Sequence, residues 1–202
     1  MKIISHRGWW RAASEKNTSV AFGRTVAGGY GTETDVRDLM GRLVVSHDPA
    51  GADALPWEDL LALFDGTGLP LAVNVKADGL SGLLAAAFAE RAIPWFAFDM
   101  SGPETVRYAA AGLPFYTRHS DVEPEPILYD QAAGVWLDAF RGDWFDRDVI
   151  ARHGEAGKAV CVVSPELHGR DPRPVWERLS DLSGDVTLCT DRPDDASRAF
   201  RP

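Results

Sequence analysis

Short, continuously apolar runs alternate with amphipathic segments along the whole chain. The runs fall at Lys2–Ser5, Thr32–Val36, Leu43–Ser46, Leu71–Val75, Trp95–Asp99, Leu113–Thr117, Gly134–Leu137, Ala159–Ser164 and Asp185–Thr190. Unbroken rather than alternating apolar character suits strands covered on both faces, as in a parallel sheet. The intervening segments carry helix punctuation. Asn17-Thr18 can cap a helix running through Phe22 and Val26 until Gly28-Gly29 ends it. Pro56-Trp57-Glu58 opens a second, with Leu60, Leu61 and Phe64 on one face. Pro103-Glu104 opens a third reaching Ala111-Gly112, and Glu125–Ala133, Trp144–His153 and Pro174–Leu182 complete the helical candidates. Strands alternating with helices predict repeated βαβ units.

The runs amount to eight strands if Thr32–Val36 and Leu43–Ser46 form one bent region around Met40-Gly41. Eight βα units define a (β/α)8 TIM-type barrel, which typically takes about 250 residues, with about 200 at the low end. At 202 residues the barrel must be compact and near minimal length, with short loops. A flavodoxin-like open sheet is the structural alternative. There is no Gly/Ser-rich linker, low-complexity tract or long repeat, so a single domain spanning residues 1–202 is expected.

Composition narrows the picture further. A hydrophobic content of 45% with 25% charged residues is that of an ordinary globular protein. No apolar stretch approaches the roughly 20 residues of a membrane span, and Met1–Ser5 has no signal-peptide core, so a cytoplasmic protein is expected. The formal charge of −9, with no basic stripe, argues against nucleic acid as a partner. A small phosphorylated ligand remains compatible, because local cations outweigh the net field at short range. Cys161 and Cys189 lie inside apolar runs and read as buried free thiols.

Candidate chemistry gathers where strands end. In a (β/α)8 barrel the reacting side chains come from the C-terminal strand ends and the loops after them. His6 closes the first strand. Glu33 and Asp35 are two apart on the second and share a face. His47 and Asp48 end the Leu43–Ser46 run, and Asn74 and Lys76 share a face at the end of the next strand. Two neighbouring carboxylates need a compensating cation to ionise together. A hard divalent ion, Mg2+ or Ca2+, meets that need through oxygen ligands and neutralises phosphate oxygens. Two histidines titrating near neutrality can act as base and acid across a phosphodiester. Arg7 and Lys76 can hold phosphate oxygens.

Four elements in order, Ser5-His6-Arg7-Gly8, Glu15–Phe22 (EKNTSVAF), Gly31–Asp38 (GTETDVRD) and Leu43–Asp48 (LVVSHD), together resemble the N-terminal signature of the glycerophosphodiester phosphodiesterase family. Cys189–Asp194 (CTDRPD) resembles that family's last strand. The resemblance implies a barrel hydrolase acting on a small polar phosphodiester with a divalent cation. By position it implies His6 and His47 as catalytic residues and Glu33 and Asp35 as metal ligands; Arg7, Asn74 and Lys76, read from the strand ends themselves, are the expected substrate-binding residues. Two departures stand out. The family's third acidic ligand lies in a Glu-x-Lys element, which here reads Asn74-Val75-Lys76. A neutral amide ligates through its oxygen but brings no charge, and Asp99 on the adjacent strand is the other candidate. The family's inserted subdomain is also missing, since only Pro49–Pro56 follows His47-Asp48.

Either histidine alone would read as an ordinary core or surface residue. With Glu33 and Asp35 at matching strand ends, the set reads as a site. Arg118, His119, Asp138, Ser164–His168, Asp191 and Arg192 gather at later strand ends as the far wall of a pocket, with no individual roles assigned. The competing function class is a barrel that binds a phosphorylated ligand without turnover, a reading that Asn74 favours. An oxidoreductase is disfavoured, because no GxGxxG follows any strand.

Overall fold

The structure is a computed structural model in which residues 1–182 and 185–200 are described. Its elements run β1 (Lys2–His6), α1 (Ser19–Ala27), β2 (Gly31–Leu39), β3 (Arg42–Val45), β4 (Leu55–Pro56) and α2 (Trp57–Phe64). They continue with β5 (Leu71–Val75), α3 (Ser81–Phe88), β6 (Trp95–Phe98), α4 (Gly102–Ala110), β7 (Tyr116–His119) and β8 (Gly134–Leu137). The chain ends with α5 (Arg147–Glu155), β9 (Ala159–Val163), α6 (Arg173–Leu179), β10 (Val186–Thr190) and α7 (Pro193–Ala199).

Parallel pairing runs from β6 through β5, β2, β1, β10, β9 and β8 to β7. The remaining gap between β6 and β7 is bridged where Ala97 pairs with Phe115 and the Ala97 N–H donates to the Pro114 carbonyl at 2.9 Å. The eight parallel strands therefore form a ring, which rules out the open flavodoxin-like sheet. Short helices of seven to nine residues fit the short chain.

Several elements depart from the sequence reading, each for a local reason. The region from Thr32 to Ser46 is a hairpin and not one bent strand. Met40 and Gly41, both at positive φ, turn the chain, and β3 returns antiparallel to β2. Glu125–Ala133 forms only a short 3-10 turn at Tyr129–Gln131, because Pro126 and the left-handed Leu128 interrupt any longer helix. β7 begins at Tyr116 and not at Leu113. Helices α3 and α7 were not anticipated: α3 has no side-chain cap, while α7 carries proline and two aspartates in its first turn.

The core has three parts. Between sheet and helices lie two apolar clusters, one around Trp57, Leu60 and Phe64 and the other around Val162, Trp176 and Leu188. A third fills the barrel with Ile4, Ala72, Phe96, Phe98, Trp136, Cys161, Val163 and Cys189. Aromatic stacking carries much of that interior: Phe98 lies on Trp136 at 3.8 Å and Phe96 on Tyr116 at 3.6 Å between ring centroids. Gly134 makes room for Tyr116, since a Cβ there would sit 2.5 Å from the phenol ring. Cys161 and Cys189 are buried free thiols, as expected. This apolar plug closes the barrel beneath its mouth, so inward-facing polar residues above it are confined to the strand ends.

Candidate active site

The mouth is built from those strand ends. Just past β1, Arg7 and Gly8 both take positive φ (59° and 85°). Gly8 has to be glycine, because a Cβ would come within 2.7 Å of the Ala21 Cβ on α1. Asn17 and Asp99 also sit at positive φ, so three non-glycine residues at the mouth adopt a conformation that costs about 1–3 kcal/mol each. Strain of that kind persists only where the surroundings hold it, and here hydrogen bonds do. The Arg7 N–H donates to the Glu33 carbonyl at 2.9 Å, and the Asn17 N–H donates to the Arg7 carbonyl at 2.9 Å.

His6 is fixed at one end and open at the other. Its Nδ1 lies 2.7 Å from Asp191 Oδ1, and its Nε2 lies 3.9 Å from Glu33 Oε2. Burial opposes ionisation of Asp191, yet the hydrogen bond and charge of His6 prevail and hold its carboxyl below the ordinary value. An ionised Asp191 only accepts, so Nδ1 is the donor in this pair, and in the neutral tautomer the lone pair lies on Nε2. Asp191 is in turn placed by Glu166, whose Oε1 accepts the Asp191 N–H at 3.1 Å and also bonds the Thr190 hydroxyl.

Glu33 and Asp35 face the same interior, at 1% and 0% exposure. Burial first, and the Asp35 charge second, push Glu33 up to about 7, while His6, Arg7 and Lys76 partly offset them. Asp35 is the meeting point of the cations. Arg7 Nε lies 2.9 Å from Oδ2, off the hydrogen-bond axis, so that contact is ionic. Asn17 Nδ2 donates to Oδ2 at 2.8 Å, and Lys76 Nζ lies 3.5 Å from Oδ1. Asn17, expected mainly as a helix-capping element, thus serves the site while Thr18 caps α1. Asn74 pairs in register with Asp35 on the neighbouring strand. Among the described residues, neither Asp35 Oδ1 nor Asn74 Oδ1 accepts a hydrogen bond, although both are buried.

His47 stands apart from the other predicted site residues. β2 overshoots the ring, β3 returns, and the Ser46 N–H donates to the Asp35 carbonyl at 3.1 Å. His47 therefore ends the returning strand of a hairpin and not a barrel strand. Its side chain is 46% exposed, with Nδ1 2.9 Å from Asp48 Oδ1. It lines a cavity of about 620 Å3 together with Arg7, Lys16 and Asn17. Among the described residues it has no hydrogen bond or ion pair to His6, Glu33 or Asp35.

Across the mouth lies a second cavity of about 690 Å3, lined by Lys76, Asp99, Tyr116, Arg118, Glu123 and Ile127. Arg118 binds Asp99, lies 2.6 Å from Asp138 and 3.1 Å from Glu123. His168 Nε2 lies 2.7 Å from the other Asp138 oxygen. Asp99 thus shares the Arg118 guanidinium with Asp138 and Glu123. His119 points elsewhere, to His153 at 2.9 Å, and His153 reaches the Tyr129 hydroxyl at 2.8 Å. The sequence reading gave Asp191 and Glu166 no role of their own; the resemblance of CTDRPD to a last strand was the only signal pointing at Asp191.

Oxygen donors of the kind a hard divalent cation takes stand beside His6 in this mouth. Among the described residues no group of three or more His, Cys, Asp and Glu side chains could hold a metal. Glu33 and Asp35 do offer buried carboxylate oxygens, and Asn74 Oδ1 beside them accepts no hydrogen bond among the described residues, while Asp35 Oδ1 already has Lys76 Nζ at 3.5 Å. The donor set is all oxygen, which suits Mg2+ or Ca2+ over softer ions.

No protein-family model matches the sequence. No curated protein is similar enough to match it. Solved structures are alike in fold. The crystal structure of a glycerophosphodiester phosphodiesterase from Agrobacterium tumefaciens superposes with a TM-score of 0.72 at 19% identity, covering 99% of both chains. That of a putative glycerophosphodiester phosphodiesterase from Galdieria sulphuraria gives 0.77 at 16% identity, covering 98% of this chain and 97% of that one. At such identity the likeness establishes the (β/α)8 barrel. No described helix is long and apolar enough to cross a membrane.

Proposed function

We propose that this chain is a phosphodiesterase of the glycerophosphodiester phosphodiesterase kind, hydrolysing a small polar phosphodiester at the barrel mouth. The observation that carries the reading is the His6–Asp191 pair set beside Arg7 and Lys76, a proton acceptor next to two cations that suit a phosphate. The likeness of fold to the Agrobacterium and Galdieria structures supports it.

In this reading His6 is the base. Its Nε2 lone pair takes the proton from the nucleophile, a water or a neighbouring hydroxyl of the substrate, and Asp191 steadies the imidazolium that forms. Arg7 and Lys76 hold the phosphate oxygens, Arg7 by exchanging part of its contact with Asp35 for the incoming anion. His47, exposed on the hairpin, donates a proton to the departing alkoxide. A divalent cation held by Glu33 and Asp35 supplies charge neutralisation to the phosphate when bound. The open mouth, without an inserted subdomain, suits a small diester.

The test is hydrolysis of a panel of glycerophosphodiesters with EDTA, Mg2+, Ca2+ and Mn2+ in parallel. His6→Ala and His47→Ala should each lower turnover of an alkyl diester by roughly 100- to 10,000-fold. Parent rates in both variants would remove the assignment.

A further inference from the structure

We infer that Glu166 is a positioning residue for the base: its carboxylate fixes the Asp191 backbone and, through the Asp191 side chain, the tautomer and aim of His6. The inference rests on the phosphodiesterase reading only for the reaction that His6 serves.

The need for such a residue arises where the sheet ends. β1 and β10 pair as far as Ser5 and Thr190, so His6 and Asp191 stand level with each other, one step past the last paired residues. β9 and β10 pair only as far as Val163 and Cys189, after which the Ser164 N–H donates to the Cys189 carbonyl at 2.9 Å. Beyond that point the Asp191 N–H finds its acceptor in a side chain, Glu166 Oε1, at 3.1 Å. The same oxygen accepts the Thr190 hydroxyl, whose own oxygen accepts the Arg192 N–H at 2.9 Å. The turn Thr190–Arg192 is thus wound about one carboxylate oxygen, and its middle residue presents Oδ1 to His6 Nδ1 at 2.7 Å.

Glu166 is itself held. Pro165 opens the 3-10 turn that carries it, and Gly169, at φ 73°, closes that turn. Its second oxygen, Oε2, accepts the Ser164 hydroxyl, and Ser164 Oγ accepts the Trp176 indole N–H at 2.8 Å. Ser164, Thr190 and Trp176 are all buried, where such bonds are strong and costly to leave unmade. A chain of bonds therefore runs from Trp176 on α6 through Ser164, Glu166 and Asp191 to His6. Among the described residues Glu166 has no hydrogen bond or ion pair to His6, Arg7 or Lys76, so it reaches the base through Asp191. What it supplies is reach and two acceptor oxygens, and charge is secondary. Glutamine keeps Oε1 for Thr190 and Asp191 and can turn its amide toward Ser164 Oγ. Aspartate keeps the charge but is one methylene short of the Asp191 N–H.

The experiment measures kcat and KM on bis(p-nitrophenyl) phosphate, whose leaving group departs without a proton. It also reads the His6 tautomer by 15N NMR of histidine-labelled protein at pH 8, with the His6 signals assigned by their loss in His6→Gln. Glu166→Ala and Glu166→Asp should lower kcat about 10- to 100-fold with little change in KM, the cost of a base displaced by up to about 1 Å. Glu166→Gln should stay within about threefold of wild type. Wild type and Glu166→Gln should hold the His6 proton on Nδ1, and the other two variants should lose that bias. Should Glu166→Ala fail to fold by circular dichroism, the aspartate and glutamine variants carry the comparison. A Glu166→Gln variant as slow as Glu166→Asp would mean that position is not what Glu166 supplies. His6 protonated on Nδ1 in every variant would mean that Asp191 needs no such support. Either result overturns the inference. A protein that hydrolyses nothing yet shows the expected tautomers would sink the enzyme reading and leave this one standing.

Discussion

Replacing Glu33 with glutamine isolates one buried ionisation. The side chain is 1% exposed, and burial together with the Asp35 charge moves its pKa from 4.5 to about 7. A shift of that size corresponds to about 3 kcal/mol of differential stability. The sign follows from proton counting. Between pH 4.5 and 7 the folded state binds a proton that the unfolded chain has lost, so stability falls as pH rises through this window. Below it the contribution is fully present, and above pH 7 it is gone. Glutamine is an isostere of the neutral acid and has no such proton to lose. Urea unfolding of both proteins in EDTA, from pH 5 to pH 8, is the assay. The stability of Glu33→Gln minus that of wild type should grow by roughly 2–3 kcal/mol across the range. That is a midpoint difference of about 1 M urea for a slope near 2 kcal/mol/M. All other titrating groups are common to both proteins and cancel to first order. Parallel profiles, within about 0.5 kcal/mol at every pH, would mean that Glu33 is already ionised and fully compensated, and the electrostatic picture of the mouth would fail.

Three more outcomes follow from the same geometry. Asp191→Asn should reduce kcat on an alkyl diester by about 100-fold or more while KM changes little, because the His6 tautomer loses its anchor; a kcat within threefold of wild type would deny Asp191 that role. His47→Ala should be nearly silent on bis(p-nitrophenyl) phosphate, whose leaving group departs without a proton, whereas His6→Ala should suppress both substrates; equal losses of His47→Ala on the two substrates would take the leaving-group acid away from His47. His153 is held down to about 4, by burial first and then by His119 and Arg152, so the folded state needs it neutral. Its contribution is present above pH 6.5 and is lost as pH falls toward 4, and His153→Gln should flatten that part of an acid-unfolding profile.

Much of this architecture is legible in the chain because barrel strands are buried on both faces. The runs at Leu71–Val75, Gly134–Leu137 and Ala159–Ser164 match β5, β8 and β9 to within a residue. The cap at Thr18 and the proline before Trp57 set their helices as read. What stayed hidden depends on long-range pairing. Leu43–Ser46 has the composition of a barrel strand, and only its antiparallel register with Val36–Leu39 makes it a hairpin arm. Helix α3 has no capping side chain and follows glycine, so its local signal is weak. At the site, the strand-end rule located His6, Glu33, Asp35 and Lys76. It placed Asp191 and Glu166 at the far wall without a role, because their importance lies in hydrogen bonds to distant elements. Sequence spacing does not carry such pairings, since His6 and Asp191 are 185 residues apart.

The hairpin also explains how so short a chain equips its mouth. With only Pro49–Pro56 between it and α2, His47 is carried by the hairpin itself. β2 runs four residues, Val36–Leu39, alongside β3, the turn at Met40-Gly41 reverses it, and the Ser46–Asp35 hydrogen bond brings the chain back to the level of the carboxylates. His47 arrives beside Arg7 but on the solvent side, while His6 is held inside by Asp191. The two imidazoles consequently sit differently: one is oriented and partly buried, the other about half exposed on the hairpin. A base benefits from fixed geometry and a nearby anion, whereas an acid that must be reprotonated each cycle benefits from water. In the proposed reaction the ring supplies the fixed base and the hairpin the exposed acid, a division of labour that follows from topology.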